Sequence, residues 1–146
     1  MTEKAAKELA AVLTGEAVRL MPSTRTWGVV VDRADGMRAV IEDHAGSLYR
    51  DRAAFEAYQR DGDQEGIVKA AEWGVWGGGY EWASSLAGLL GSEEYWHSGG
   101  GHWLVFYRRP DGRFAVVGAD SGAVYGSYEE FDADLTGEKA ENHAFV

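Results

Sequence analysis

Apolar and polar residues alternate along this chain in two rhythms, one helical and one extended, and the same succession comes twice. Over residues 3–20, Ala5, Leu9, Val12, Leu13, Ala17 and Leu20 recur at helical spacing, with Lys4, Lys7, Glu8 and Glu16 between them. The spacing predicts a helix over 3–20, weakened at Gly15 and stopped by Pro22-Ser23. Residues 27–31 alternate as a strand, Asp35-Gly36 supplies hairpin turn chemistry, and residues 37–42 return as a second strand. Gly46 then turns the chain into a short segment, Ser47-Leu48-Tyr49. Asp51 is placed to cap a helix running through Phe55 and Tyr58 to Arg60.

The second succession predicts a helix over 80–90, with Ala83, Leu86, Ala87 and Leu90 on one face and Gly91 at its end. Strands over 103–108 and 114–117 flank Pro110-Asp111-Gly112, and Gly122 leads into Ala123-Val124-Tyr125. Ser127-x-x-Glu130 reads as a capping box. A shift of 76 positions lays residues 103–134 over 27–58 without a gap, and eleven of the 32 pairs are identical. Unrelated stretches of ordinary composition would share about two. The identities include Trp27/Trp103, Arg33/Arg109, Asp35/Asp111, Gly36/Gly112, Gly46/Gly122, Tyr49/Tyr125 and Phe55/Phe131.

These patterns predict an α+β fold built by internal duplication of an α–β–β–β–α unit. Repeat one covers 1–62 and repeat two covers 77–138, with a tail over 139–146. The connector 63–76 contains Ile67, Val68, Trp73, Val75 and Trp76, too apolar for a free linker. Units of this size bury little core alone. The expected result is a single compact domain, packed about a pseudo-twofold axis, with antiparallel sheet or sheets covered by helices.

Charge changes the picture next. With 14 basic and 24 acidic side chains the net charge is −10, which argues against a phosphate backbone or an anionic membrane as partner. Residues 77–146 carry 4 basic and 11 acidic side chains, so the excess lies in the second half. The chain has no Cys, which excludes disulfides, thiolate metal sites and a Cys nucleophile. Its N-terminal stretch is charged throughout, unlike a signal peptide or membrane span, and a cytoplasmic protein is expected.

Candidate chemistry concentrates in the second half. Under the shift, the run Glu129-Glu130-Phe131-Asp132-Ala133-Asp134 lies over Ala53-Ala54-Phe55-Glu56-Ala57-Tyr58. Phe and Ala are kept while carboxylates are gained, so Glu129, Glu130, Asp132 and Asp134, with Tyr95 and Trp96, are the expected partner-binding residues. The expected function is that of a small acidic, non-catalytic binding protein, an inhibitor docking on a basic site of another protein. Counter-defence and immunity proteins are of this general type, by analogy of size and charge alone.

The alternative is a small-molecule pocket at the joint between repeats, formed by Trp73, Trp76, Tyr80, Trp82, His97 and His102 among glycines. Those aromatics would equally serve to seal the joint. A metal-dependent hydrolase using His97, His102, Asp120 and His143 is less supported, because the histidine spacing matches no standard ligand pattern. Gly77-Gly78-Gly79 lacks the lysine of a phosphate loop, and Ser84 and Ser85 lack a nucleophile elbow. No cofactor or metal is expected.

Overall fold

A computed structural model describes residues 1–20, 26–98, 100–134 and 140–145. These residues form an α+β fold of four helices and two five-stranded antiparallel sheets. The first sheet runs in chain order: β1 (Glu16–Arg19), β2 (Trp27–Asp32), β3 (Arg38–Ile41), β4 (Ala45–Tyr49) and β5 (Ile67–Glu72). The second runs from β6 (Glu93–His97) through β7 (His102–Arg108), β8 (Phe114–Val117) and β9 (Ser121–Tyr125) to β10 (Glu141–Ala144).

The first helix is shorter than its pattern. α1 (Glu3–Leu13) opens where the Thr2 side chain accepts a hydrogen bond from the Ala5 amide, and closes at Thr14 in the left-handed region, φ 54°. Gly15 then lies so close to the Val30 carbonyl that a Cβ there would clash. Beyond that turn, residues 16–19 pair with β2 instead of continuing the helix. Ala17 and Leu20 satisfy helical spacing by coincidence of a short stretch. The connector carries β5 and the tail carries β10, both edge strands held chiefly by backbone pairing to β4 and β9. The three strands predicted for each half are therefore completed to five, in two separate sheets.

α1 and α3 (Tyr80–Leu90) lie between the sheets. Each packs on the opening strands of one sheet and the closing strands of the other: α1 on β1–β2 and β8–β10, α3 on β6–β7 and β3–β5. Their apolar faces meet the inward residues Val29, Val31, Ala39 and Ile41 from one sheet and Val105, Ala115, Val117 and Val124 from the other. The outward faces carry smaller clusters. α2 (Arg52–Asp61) covers Val30, Val40 and Tyr49 with Ala54 and Phe55. α4 (Tyr128–Ala133) lays Phe131 over Leu104, Phe106, Val116 and Tyr125. None of the helices is long and apolar enough to cross a membrane.

The contacts that tie the halves together are reciprocal, and they fall on residues shared under the 76-position shift. A Cβ at Gly46 would run into Leu89 of α3, and one at Gly122 would come 2.8 Å from Val12 of α1. Both glycines permit close approach of the helix that begins the other half. Arg33, beyond β2, donates to the Leu89 carbonyl at the end of α3 at 3.2 Å and pairs with Asp35 at 2.7 Å. Arg109, beyond β7, reaches the Ala11 carbonyl of α1 at 3.4 Å and pairs with Asp111 at 2.8 Å. Each aspartate also accepts from its own turn, from the Met37 and Arg113 amides. A cation at a helix C-terminus satisfies orphan carbonyls and complements the dipole.

The Arg109 side chain is only 10% exposed. Arg109→Met keeps its aliphatic stem but abandons the carbonyl and Asp111, and is expected to cost about 2 kcal/mol. Urea unfolding measures it. A loss below roughly 0.5 kcal/mol, the scale of ordinary surface changes, would contradict the clamp.

Candidate functional site

Half of the capping box at α4 forms as expected, Ser127 Oγ accepting from the Glu130 amide at 3.2 Å, while the Glu130 carboxylate reaches one residue further back and accepts from the Gly126 amide at 2.9 Å. Asp134 takes a hydrogen bond with the Tyr125 hydroxyl, whose pKa burial and then Asp134 push upward. Glu130 and Asp134 therefore serve their own half, while Glu129 and Asp132 stand out into solvent.

Tyr95 and Trp96 are neighbours on β6 and so face opposite ways. Tyr95 stacks on Phe106, with centroids 4.8 Å apart and planes 21° apart, on the outward face that α4 partly covers. Trp96 is 48% exposed, and its ring lies 5.3 Å from that of Trp103. Trp103 in turn meets Tyr80, 54% exposed, at 4.9 Å.

The remaining tryptophans turn inward. Trp73 and Trp82 are buried, Trp76 is half-buried, and their rings meet edge to face, 6.2 Å for Trp73–Trp76 and 5.2 Å for Trp76–Trp82. Trp73 Nε1 donates to the Asp43 carbonyl at 2.7 Å. His97 and His102 form the last pair of the β6–β7 ladder, with rings stacked 5.2 Å apart. His97 Nδ1 accepts from the Gly100 amide at 2.8 Å, which closes that turn. His143 bonds Glu8 at 2.8 Å and Glu141 at 3.2 Å instead of joining them. Among the described residues, no three His, Asp or Glu side chains are grouped to hold a metal ion.

The structure adds a feature that the sequence pattern did not show. β6 begins at Glu93 opposite Phe106, so Tyr107 and Arg108 of β7 run on past the edge strand. The gap beside them opens into a groove of about 1000 Å³. One wall is aromatic: Tyr95, Phe106, Phe114 and Tyr128, the last opening α4. The other runs from the end of α3, Leu90 to Glu94, to the β2–β3 turn, Asp32 to Asp35.

Its charges are largely committed. Asp32 pairs with Arg38 at 2.7 Å, and that hydrogen bond holds its carboxyl below the ordinary range. Arg33 and Arg109 are taken up by Asp35 and Asp111. Glu93, Glu94 and Arg108 also line the groove, with no ion pair at any of them among the described residues, and Glu129 follows Tyr128 on the adjoining helix. Two polar atoms in the lining residues, Ser92 Oγ and Arg109 Nε, are buried without a hydrogen-bond partner. Burial raises the Tyr107 hydroxyl, and a hydrogen bond with Thr14 opposes that rise. Of the lining residues, the sequence singles out Tyr95 alone as partner-binding. The groove itself depends on where β6 starts relative to β7, a register that composition does not encode.

No protein-family model matches this chain, and neither a curated protein nor a solved structure is significantly similar to it.

Proposed function

We propose that this is a non-catalytic binding protein that docks on a basic segment of another protein and occludes it, in the manner of a counter-defence or immunity inhibitor. The observation that carries this reading is the groove on the second sheet, with its aromatic wall and with Glu93, Glu94, Glu129 and Asp132 on or beside its rim. Aromatic faces and carboxylates together suit Lys and Arg side chains, which can stack while they pair. The charge excess of the second half would steer such a partner toward this side.

The reading also takes the two halves as copies of one unit about a pseudo-twofold axis. Eleven identical pairs, a matching order of elements and the reciprocal glycine and arginine contacts support that. On this view shared residues maintain the fold, and differences between the halves mark function. Glu129, Glu130 and Tyr128 are such differences, lying where the first half has Ala53, Ala54 and Arg52, while Asp132 keeps the carboxylate of Glu56.

Retention of a partner from cell lysate tests the proposal. The partner should be held at low ionic strength, released by salt, and lost when Glu93, Glu94, Glu129 and Asp132 are reversed to Lys. Retention that ignores both salt and the reversal would sink it.

A further inference from the structure

The outward face of the first sheet holds a second, smaller cavity of about 170 Å³ beside α2. Its lining includes Thr26, Glu42, Ser47, Tyr49, Phe55 and Tyr58. The Tyr49 ring lies 5.1 Å from Phe55 and 5.9 Å from Tyr58, both tilted, so the three rings form one aromatic corner. The Glu42 side chain is half-buried and makes no hydrogen bond or ion pair among the described residues. The amino terminus makes its direct contacts elsewhere, pairing with Asp43 at 2.7 Å and donating to the Trp27 carbonyl, and with His44 it acts on Glu42 only through space.

The corresponding place in the second half is built from different residues. Under the 76-position shift Glu42 becomes Gly118, Ser47 becomes Ala123 and Tyr58 becomes Asp134. There the carboxylate sits on the helix side and is taken up by the Tyr125 hydroxyl. In the first half the tyrosine is kept as Tyr49, but the carboxylate comes from the strand end and a third ring replaces the aspartate. The result is a half-buried carboxylate beside aromatic rings, with no direct partner among the described residues, an arrangement that favours an organic cation over an anion or a neutral group.

We propose that this cavity binds a primary ammonium group carried on a short alkyl chain. The ammonium pairs with Glu42, and the alkyl chain packs on Tyr49, Phe55 and Tyr58. Desolvation, which raises the Glu42 carboxyl above its ordinary range, is then offset by the bound cation. The volume equals about five or six waters at roughly 30 Å³ each, room for a lysine-like chain. The site stands apart from the groove of the second sheet and does not depend on the docking proposal.

The test follows the ring-proton resonances of Tyr49 and Tyr58 by NMR during titration with n-butylammonium chloride, Nα-acetyl-lysine methylamide and n-butanol. Saturable shifts are expected with at least one ammonium probe, with butanol binding at least ten-fold more weakly. Glu42→Gln should weaken the ammonium probe at least ten-fold. Stronger binding of butylammonium would assign the site to a free amine, and stronger binding of the lysine derivative to a side chain on a polypeptide. No shift from either ammonium probe, equal binding of butanol to the wild-type protein, or undiminished binding to the Gln variant would each overturn the proposal.

Discussion

Trp82→Ala is expected to destabilise the protein by about 3–5 kcal/mol, the cost typical of deleting a buried large aromatic. Trp82 is 1% exposed, sits on α3 between the two sheets, and meets the Trp76 ring edge to face at 5.2 Å. The substitution leaves a void bordered by residues that belong to both halves, and neither sheet can close on it without moving the other. In a domain with a total stability of roughly 5–15 kcal/mol, such a loss would expose a large unfolded fraction. Trp96→Ala, on the 48% exposed ring of β6, should by contrast cost less than about 1 kcal/mol. Denaturant midpoints for the two variants, compared at equal slope, check both numbers. Similar losses at the two sites would show that the tryptophans of 73–103 do not divide into core and surface as described.

The second large effect concerns association. Reversing Glu93, Glu94, Glu129 and Asp132 to Lys changes the net charge beside the groove by eight units while leaving its aromatic wall in place. The association rate with a basic partner should fall at least about 100-fold at low ionic strength, because steering by surface charge is worth roughly 10–1000-fold. Near 1 M salt, where the screening length shrinks to about 3 Å, the difference between variant and wild type should largely vanish. A control reversal of Glu130 alone would confound the reading, since its carboxylate holds the Gly126 amide. The four chosen positions avoid that cap. A variant that associates as fast as wild type at low salt would remove electrostatic steering from the account.

Much of this arrangement was legible in residues alone, and the reasons are specific. The Asp35-Gly36 and Asp111-Gly112 turns, the Asp51 and Ser127 caps and the helix over 80–90 all appear where local chemistry places them. Each is decided within a few residues, by a turn geometry or a capping bond. The elements that escaped are those decided at long range. β5 reads Ile-Val-Lys-Ala-Ala-Glu and β10 reads Glu-Asn-His-Ala, neither with an alternating apolar face, because an edge strand can be held by backbone pairing alone. The helical pattern runs past the end of α1 because Ala17 and Leu20 fit two periodicities at once, and Thr14 carries no glycine signal for a left-handed cap.

The candidate site divides along the same line. The acidic run on α4 was visible as a difference between the halves, and so was the aromatic segment that holds Tyr95 and Trp96. Their grouping was not. Tyr95 joins the groove while Trp96 lies on the opposite face with Trp103 and Tyr80, since successive strand residues point apart. Trp73, Trp76 and Trp82 were readable either as a seal or as a pocket, and their edge-to-face packing on one another, with Trp76 also meeting Phe145, places them in and against the main core. Sequence could not reveal the β2–β3 turn as the far wall of the groove, because Asp32 to Asp35 come from the other half of the chain.

The docking surface is tested most directly by mapping backbone amide shifts while a lysine-rich polypeptide is added at low ionic strength. The account predicts progressive shifts at Glu93, Glu94, Tyr95, Phe106, Tyr128 and Glu129, abolished when Glu93, Glu94, Glu129 and Asp132 are reversed to Lys. Groove amides that stay unmoved through saturation, or that shift equally in the reversed variant, would contradict it.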